Sequence, residues 1–186
     1  AAERQKALND AYDGLMDLAN VIGVTPKALS LNGQLGIAFG ARGSGGKKSP
    51  SAHYEPGEIV INITKNKGAG SLAHEWWHAL DNYFSRMRGY RGEFLTDNPR
   101  VKRISYDKYG ESVRPEAIAA FKTVVDAIKA SGIEGRSEML DQTRSKRYWT
   151  EITEMSARSF ENYIIEKLGA TGQQNDYLAN FKAMSE

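Results

Sequence analysis

Two of the three histidines in this chain, His74 and His78, stand four residues apart, and Glu75 directly follows the first. They lie in residues 70–84, GSLAHEWWHALDNYF, as an H-E-x-x-H pattern. On a helix, residues four apart sit one turn above each other on the same face. Both imidazoles can then reach one Zn²⁺, with Glu75 beside them to hold a water and take its proton. Local signals favour that helix. Ser71 is a candidate N-cap, and Gly68 and Gly70 mark a preceding turn. Leu72, Trp76, Leu80 and Tyr83 recur at helical spacing and predict a core face, while His74, His78 and Asp81 fall on another stripe. The competing reading is an amphipathic helix whose histidines merely lie on its surface or in the core.

The ligand chemistry is narrowed by composition. There is no cysteine, which removes disulfides and thiolate zinc sites and leaves histidine and carboxylate. At 186 residues, 40% hydrophobic and 26% charged, the chain is expected to form a single domain over 1–186. Residues 1–84 would supply a helix, a sheet and the metal helix, and residues 85–186 a mainly helical part. No apolar run is long enough to span a bilayer, and the polar start AAERQKALNDAYDG shows no signal peptide. The chain starts without Met, as a domain cut from a longer protein would, and a cytoplasmic setting is expected.

Charge is balanced, +2 from 25 basic and 23 acidic residues, too even to argue nucleic-acid binding by itself. Two clusters stand out: Arg86, Arg88, Arg91, Arg100, Lys102 and Arg103, and then Arg144, Lys146 and Arg147. The simplest reading of both is a solvated basic surface.

Along the chain, residues 3–21 read as a first helix, with Leu8, Ala11, Tyr12, Leu15, Leu18, Ala19 and Ile22 at three-to-four spacing. Thr25-Pro26 opens a short element. Residues 35–39 and 52–55 read as strands, and 58–64 (EIVINIT) as the clearest one, with Ile59, Ile61 and Ile63 on one face and Val60 on the other. Residues 40–50 are rich in Gly, Ser and Lys and read as a connection or flap; the frame of a phosphate-binding loop is absent. After a polar stretch over 85–112, a helix is predicted for 114–131, with Ser112 as a candidate cap and Ile118, Phe121, Val124, Val125 and Ile128 inward. Residues 133–148 read as loop with one short turn at most. Residues 150–168 read as a helix ended by Gly169, and 175–184 as a last short helix.

Catalytic zinc takes three protein ligands and leaves a fourth position open. No histidine follows His78, so the extended metzincin pattern is excluded; the third ligand is an acid or His53 upstream. Glu154, Ala157, Arg158 and Glu161 share one helical stripe, with Ile152, Met155, Phe160 and Tyr163 broadly on the other side. Small Ala157 would let this helix come close to the metal helix. Glu154 is the first choice, with Glu151 and Glu161 as fallbacks. The competing role for Glu154 is an ordinary i,i+4 ion pair with Arg158.

An H-E-x-x-H helix followed much later by E-x-x-A, as in Glu154-Met155-Ser156-Ala157, resembles the gluzincin metallopeptidases. The run AHYEPGEIVINITKNKGAGSLAHEWWHALD (52–81), then Tyr148-Trp149 and the segment EMSARSFE (154–161), resembles the zincin-type domain of large polyvalent proteins of phages and other mobile elements. The similarity covers about residues 35–180. It implies an α+β, zincin-like fold: a small mixed sheet packed on the H-E-x-x-H helix, with a mostly helical C-terminal half. It also implies a zinc peptidase with poorly defined substrates. Trp77 departs from the H-E-W-G-H form and would either crowd a neighbouring strand or fill a pocket.

The expected function is therefore zinc-dependent hydrolysis of peptide bonds. His74, His78 and Glu154 would hold Zn²⁺, and Glu75 would act as general base and then donate to the leaving amine. Candidates for stabilising the oxyanion are His53, Tyr54, Tyr148 and Arg158. Asp81 is a candidate acceptor for the second ring N–H of a ligand histidine. The expected partner is a protein or peptide lying against a sheet edge at 35–39 or 52–54. Two other readings compete: a nucleic-acid-associated module using the basic clusters, with salt-sensitive binding, and a structural metal domain, which would normally have four protein ligands.

Overall fold

The structure, a computed structural model, describes residues 2–40, 51–64, 69–97 and 114–181. The candidate flap at 43–46, the candidate cap Ser112, and the basic residues Arg100, Lys102 and Arg103 lie outside them. The order of elements is α1 (Ala2–Ile22), a 3₁₀ turn (Pro26–Ser30), β1 (Gly36–Phe39), β2 (Ala52–Glu55), β3 (Val60–Ile63), α2 (Leu72–Met87), α3 (Pro115–Ala130), α4 (Ile133–Asp141) and α5 (Ile152–Ala170). This is an α+β arrangement. No described helix is long and apolar enough to cross a membrane.

The chain divides into two compact units, one made of Ala1–Ala79 and Phe160–Glu186, the other of Leu80–Ser159. In the first, α1 buries Ala11, Leu18 and Ala19, while Leu8 and Tyr12 of its predicted apolar face are exposed. The inward stripe therefore runs through Gly14, where an added Cβ would stand 3.1 Å from Leu72 Cδ2. The helix ends at Gly23 (φ +71), with the Val24 N–H returning to the Ala19 carbonyl.

The sheet has the order β1-β3-β2, with β1 parallel and β2 antiparallel to the central β3. Both strands proposed as substrate edges are thus edge strands. The clearest predicted strand starts two residues late, at Val60. The Glu55 carbonyl accepts from the N–H groups of both Glu58 and Ile59. This tight turn leaves Ile59 at φ +57, a strained value for a β-branched residue. Ile61 and Ile63 are buried, and so is Asn62 between them.

From Leu72 to Ala79, α2 is buried on every side. It is therefore not amphipathic in the predicted sense: Leu80 and Tyr83 are only half-buried, whereas Asp81, Asn82 and Ser85 are fully buried. The polar residues are inside because they bind the backbone that follows. Asp81 accepts from the Thr96 N–H (2.9 Å) and hydroxyl (2.5 Å), Asn82 donates to the Glu93 carbonyl (2.8 Å), and Ser85 to that of Tyr90 (3.3 Å). Buried backbone groups need such partners, so a returning loop recruits polar side chains from the helix it covers.

In the second unit α3 buries Ile118, Phe121, Val125 and Ile128, and Phe121 meets Phe84 edge-on at 5.7 Å. Residues 133–141 form α4 where a loop was predicted. It escapes a periodicity reading because it hardly has an inner face: Ser137 is its buried residue, and Met139 and Leu140 are exposed. α5 runs past Gly169 to Ala170 and closes at Gly172 (φ +70), with the Gln173 N–H returning to the Leu168 carbonyl. Residues 175–181 make turns where a helix was predicted. There Asn175 Oδ1 accepts from the N–H groups of Tyr177 and Leu178, a local bond that competes with helix.

Candidate metal centre

α2 brings the two histidines together. His74 and His78 are both about 7% exposed, and their Nε2 atoms lie 3.1 Å apart. Two nitrogens about 2.05 Å from one tetrahedral ion would stand about 3.3 Å apart. The pair therefore already has nearly the spacing that a shared ion requires. Glu75 is buried between them in sequence, in the first turn, where the helix dipole favours a carboxylate.

The start of α2 is held by the C-terminal turn. The Ser71 carbonyl accepts the Glu75 N–H, which puts Ser71 at the N-cap position. The Ala73 N–H, which has no partner within the helix, donates to the Leu178 carbonyl (2.9 Å), and the Gly70 N–H to that of Tyr177 (3.0 Å). On the second turn, the Trp76 indole N–H donates to the Leu29 carbonyl at 3.0 Å.

Glu161, a fallback ligand, has another place. Its Oε2 lies 3.8 Å from His74 Nδ1, and its Oε1 accepts the Asn180 N–H at 3.2 Å. The contact is longer than a hydrogen bond, but a carboxylate on that side favours the tautomer with the proton on Nδ1, which leaves the Nε2 lone pair for a metal. The sequence assigned this kind of supporting role to Asp81, whose described bonds go instead to Thr96. Trp77 is buried and stacks on Phe160 with ring centres 4.9 Å apart.

Glu154 stands in the first turn of α5, with Ala157 fully buried one turn on. Ligand atoms of His74, His78 and Glu154 all lie within 4.8 Å of one another, so this group could hold a metal ion. Among the described residues the other candidates stay out of it. His53 sits on β2 with Nε2 3.1 Å from Glu55 Oε1, and Glu151 is exposed. Burial and the neighbouring carboxylates of Glu154, Asp97 and Asp141 push the Glu151 carboxyl up. Two nitrogens and one carboxylate are a donor set that suits Zn²⁺.

The segment before α5 is built on Asp141. Its carboxylate accepts the N–H groups of Tyr148 (3.1 Å), Trp149 (3.0 Å) and Thr150 (3.0 Å), and the Thr150 hydroxyl (2.8 Å). Desolvation pushes this carboxyl up, but the four donors prevail and hold it down at about 2. The segment so fixed presents Tyr148, whose hydroxyl is pushed up to about 12, first by burial and then by the charge of Glu154 and a hydrogen bond to it. It remains an O–H donor at any ordinary pH.

The competing role for Glu154, an i,i+4 ion pair with Arg158, does not form. The Arg158 guanidinium lies 3.8 Å from the Trp149 ring centre and 5.7 Å from that of Tyr148, and its Nη2 donates to the Tyr148 hydroxyl at 3.4 Å. The basic clusters are partly committed too. Arg86 donates to Asn82 (2.9 Å), Arg88 is buried, and Arg144 lies over the Tyr148 ring at 4.7 Å.

Comparison with known families adds one finding. The family model for large polyvalent protein-associated domain 1 matches residues 140–186, a stretch that contains Tyr148, Glu154, Arg158 and Glu161. The chain is thus similar, over its C-terminal quarter, to a domain associated with large polyvalent proteins. The match does not reach the H-E-x-x-H run. No curated protein matches the chain, and no solved structure does.

Proposed function

We propose that this chain is a zinc-dependent peptidase domain of a large polyvalent protein, with a zincin-like arrangement of its sheet and α2. The observation that carries the reading is that ligand atoms of His74, His78 and Glu154 lie within 4.8 Å of one another. Three ligands leave a position open, which favours turnover over a purely structural ion. A bound Zn²⁺ would supply Lewis acidity, polarising a carbonyl and acidifying water.

The chain's own residues would do the rest. Glu75 takes a proton from the attacking water and passes it to the leaving amine. Glu161, on the Nδ1 side of the His74 ring, would steady it electrostatically. The Tyr148 hydroxyl, beside Glu154, donates to the carbonyl oxygen as negative charge develops on it. A substrate strand would add to β2 or β1 at a sheet edge. The nucleic-acid reading is weaker because Arg86, Arg88 and Arg144 are already engaged within the protein.

The test is zinc content by elemental analysis, on wild type, Glu154→Ala and Glu75→Gln. The expected result is one zinc per chain in wild type, loss in Glu154→Ala, and retention in Glu75→Gln with peptide cleavage abolished. A wild type that takes up no zinc when it is supplied refutes the proposal.

A further inference from the structure

We propose that Arg158 recognises a carboxylate of the substrate, so that the peptides this site accepts carry an acidic side chain or a free C-terminus within a residue or two of the cleaved bond. The inference rests on the peptidase reading and adds a substrate class to it.

The starting observation is a guanidinium without a counter-charge. Arg158 has no carboxylate partner among the described residues, and its Nε is buried with no hydrogen-bond partner. A half-buried cation in that condition is costly to maintain in a stable fold. Structural arginines satisfy themselves with nearby acids, and an acid is available at the i,i+4 position, Glu154, yet no ion pair forms.

The surroundings instead hold the side chain still. The guanidinium lies on the Trp149 indole at 3.8 Å, a cation-π contact, and Tyr148 receives its Nη2–H. Asp141 fixes the backbone of both aromatic residues with its three N–H contacts. A planar donor fork that is already oriented loses little entropy on meeting a carboxylate and can bind it through two parallel hydrogen bonds.

Position decides which group of the substrate it meets. Tyr148 stands between Arg158 and Glu154, accepting from the first and hydrogen-bonding the second. Both contacts meet at the phenol oxygen, so the guanidinium and the Glu154 side chain stand on either side of that oxygen, one helical turn apart along α5. On α5, residues four apart are about 5–6 Å apart at Cβ. An extended peptide advances about 3.3 Å per residue, so the offset corresponds to one or two residues from the cut.

The experiment uses three pools of fluorescent, N-terminally blocked peptides. One has Asp or Glu at central positions and an amidated end. The second has Asn or Gln there and an amidated end. The third matches the second but has a free C-terminal carboxylate. Binding is read by anisotropy on zinc-loaded Glu75→Gln, alone and combined with Arg158→Gln or Arg158→Lys, with zinc content checked in each. Cleavage is read on wild type and on the single Arg158 variants.

The expected result is that one carboxylate pool binds about ten- to hundredfold more tightly than the neutral pool, the range for charge-assisted hydrogen bonds. Arg158→Gln should remove the difference and Arg158→Lys should keep part of it. The pool that wins tells side chain from terminus. Equal binding of all pools, or a preference that survives in Arg158→Gln with zinc in place, overturns the proposal. So does stronger competition by a single-stranded oligonucleotide than by acidic peptide, since the site would then read phosphate. Cleavage without carboxylate preference leaves the peptidase reading and removes this one. Carboxylate-selective binding that depends on Arg158, without cleavage by wild type, does the reverse.

Discussion

Gly70→Ala tests whether the C-terminal turn holds the metal helix. Gly70 has φ +85, a conformation that costs a residue with a Cβ about 1–2 kcal/mol. The added Cβ would stand 3.1 Å from Asn180 Cβ, 3.2 Å from its Cα and 3.4 Å from its N. Two of those atoms are backbone, so no rotamer change relieves the contact and the turn itself must shift. That shift strains the bonds from the Gly70 and Ala73 N–H groups to the Tyr177 and Leu178 carbonyls, each contributing about 1 kcal/mol. The sum is about 2–4 kcal/mol, or a fall in Tm of about 5–15 °C for a chain of this size. The assay is thermal unfolding by circular dichroism in excess chelator, so that metal linkage does not contribute. Gly57→Ala is the control, since a Cβ there meets nothing within 4 Å. The displaced turn also carries the Asn180 N–H that holds Glu161, so zinc affinity should fall alongside Tm. If Gly70→Ala unfolds within a degree of Gly57→Ala, the turn does not hold the helix and the reasoning fails.

Two further outcomes follow from the same geometry. Asp141 titrates at about 2 in the folded chain against an ordinary 3.8, a depressed carboxylate. Its hold on residues 148–150 is therefore complete above about pH 4 and lost as pH falls through about 2. The amide resonances of Tyr148, Trp149 and Thr150 should report that low midpoint and should not titrate there in Asp141→Asn; a midpoint near 3.8 would contradict the four-donor arrangement. Glu161→Ala should weaken zinc binding by about ten- to hundredfold in competition with a chromophoric chelator, with Glu161→Gln losing less, because the carboxylate that orients His74 is gone. Unchanged affinity in both variants would mean that the 3.8 Å contact does not orient the ring.

How much of this was legible in the sequence depends on which physical scale set each feature. α1, α3 and α5 announce themselves through apolar spacing, and β2 through its short β-prone run, because each buries one continuous face. The His74 and His78 pairing is legible for the same reason: helix geometry alone brings i and i+4 together. α4 is not legible, since it is a helix with almost no buried face, and periodicity carries no signal where nothing is buried. Glu154 against Glu161 is a subtler case. Offsets of seven put both on one stripe of α5, so the pattern offers two equivalent acids and cannot divide their roles. The division appears only in the structure: Glu161 has an oxygen 3.8 Å from His74 Nδ1, and Glu154, two turns earlier, groups with His74 and His78. Contacts of residues other than the ligands bear on it. They include the Trp77–Phe160 stack and the Asn180 bond to Glu161. The same logic explains Arg158. The i,i+4 rule predicts its pair with Glu154, but the rule describes isolated helix surfaces in water. Here Asp141 has already delivered Tyr148 and Trp149 to the flank of α5, and the guanidinium stacks on the indole instead of meeting the acid. A residue eight positions before Trp149 thus decides whether a cation beside the candidate ligand is neutralised by the protein or left for a substrate.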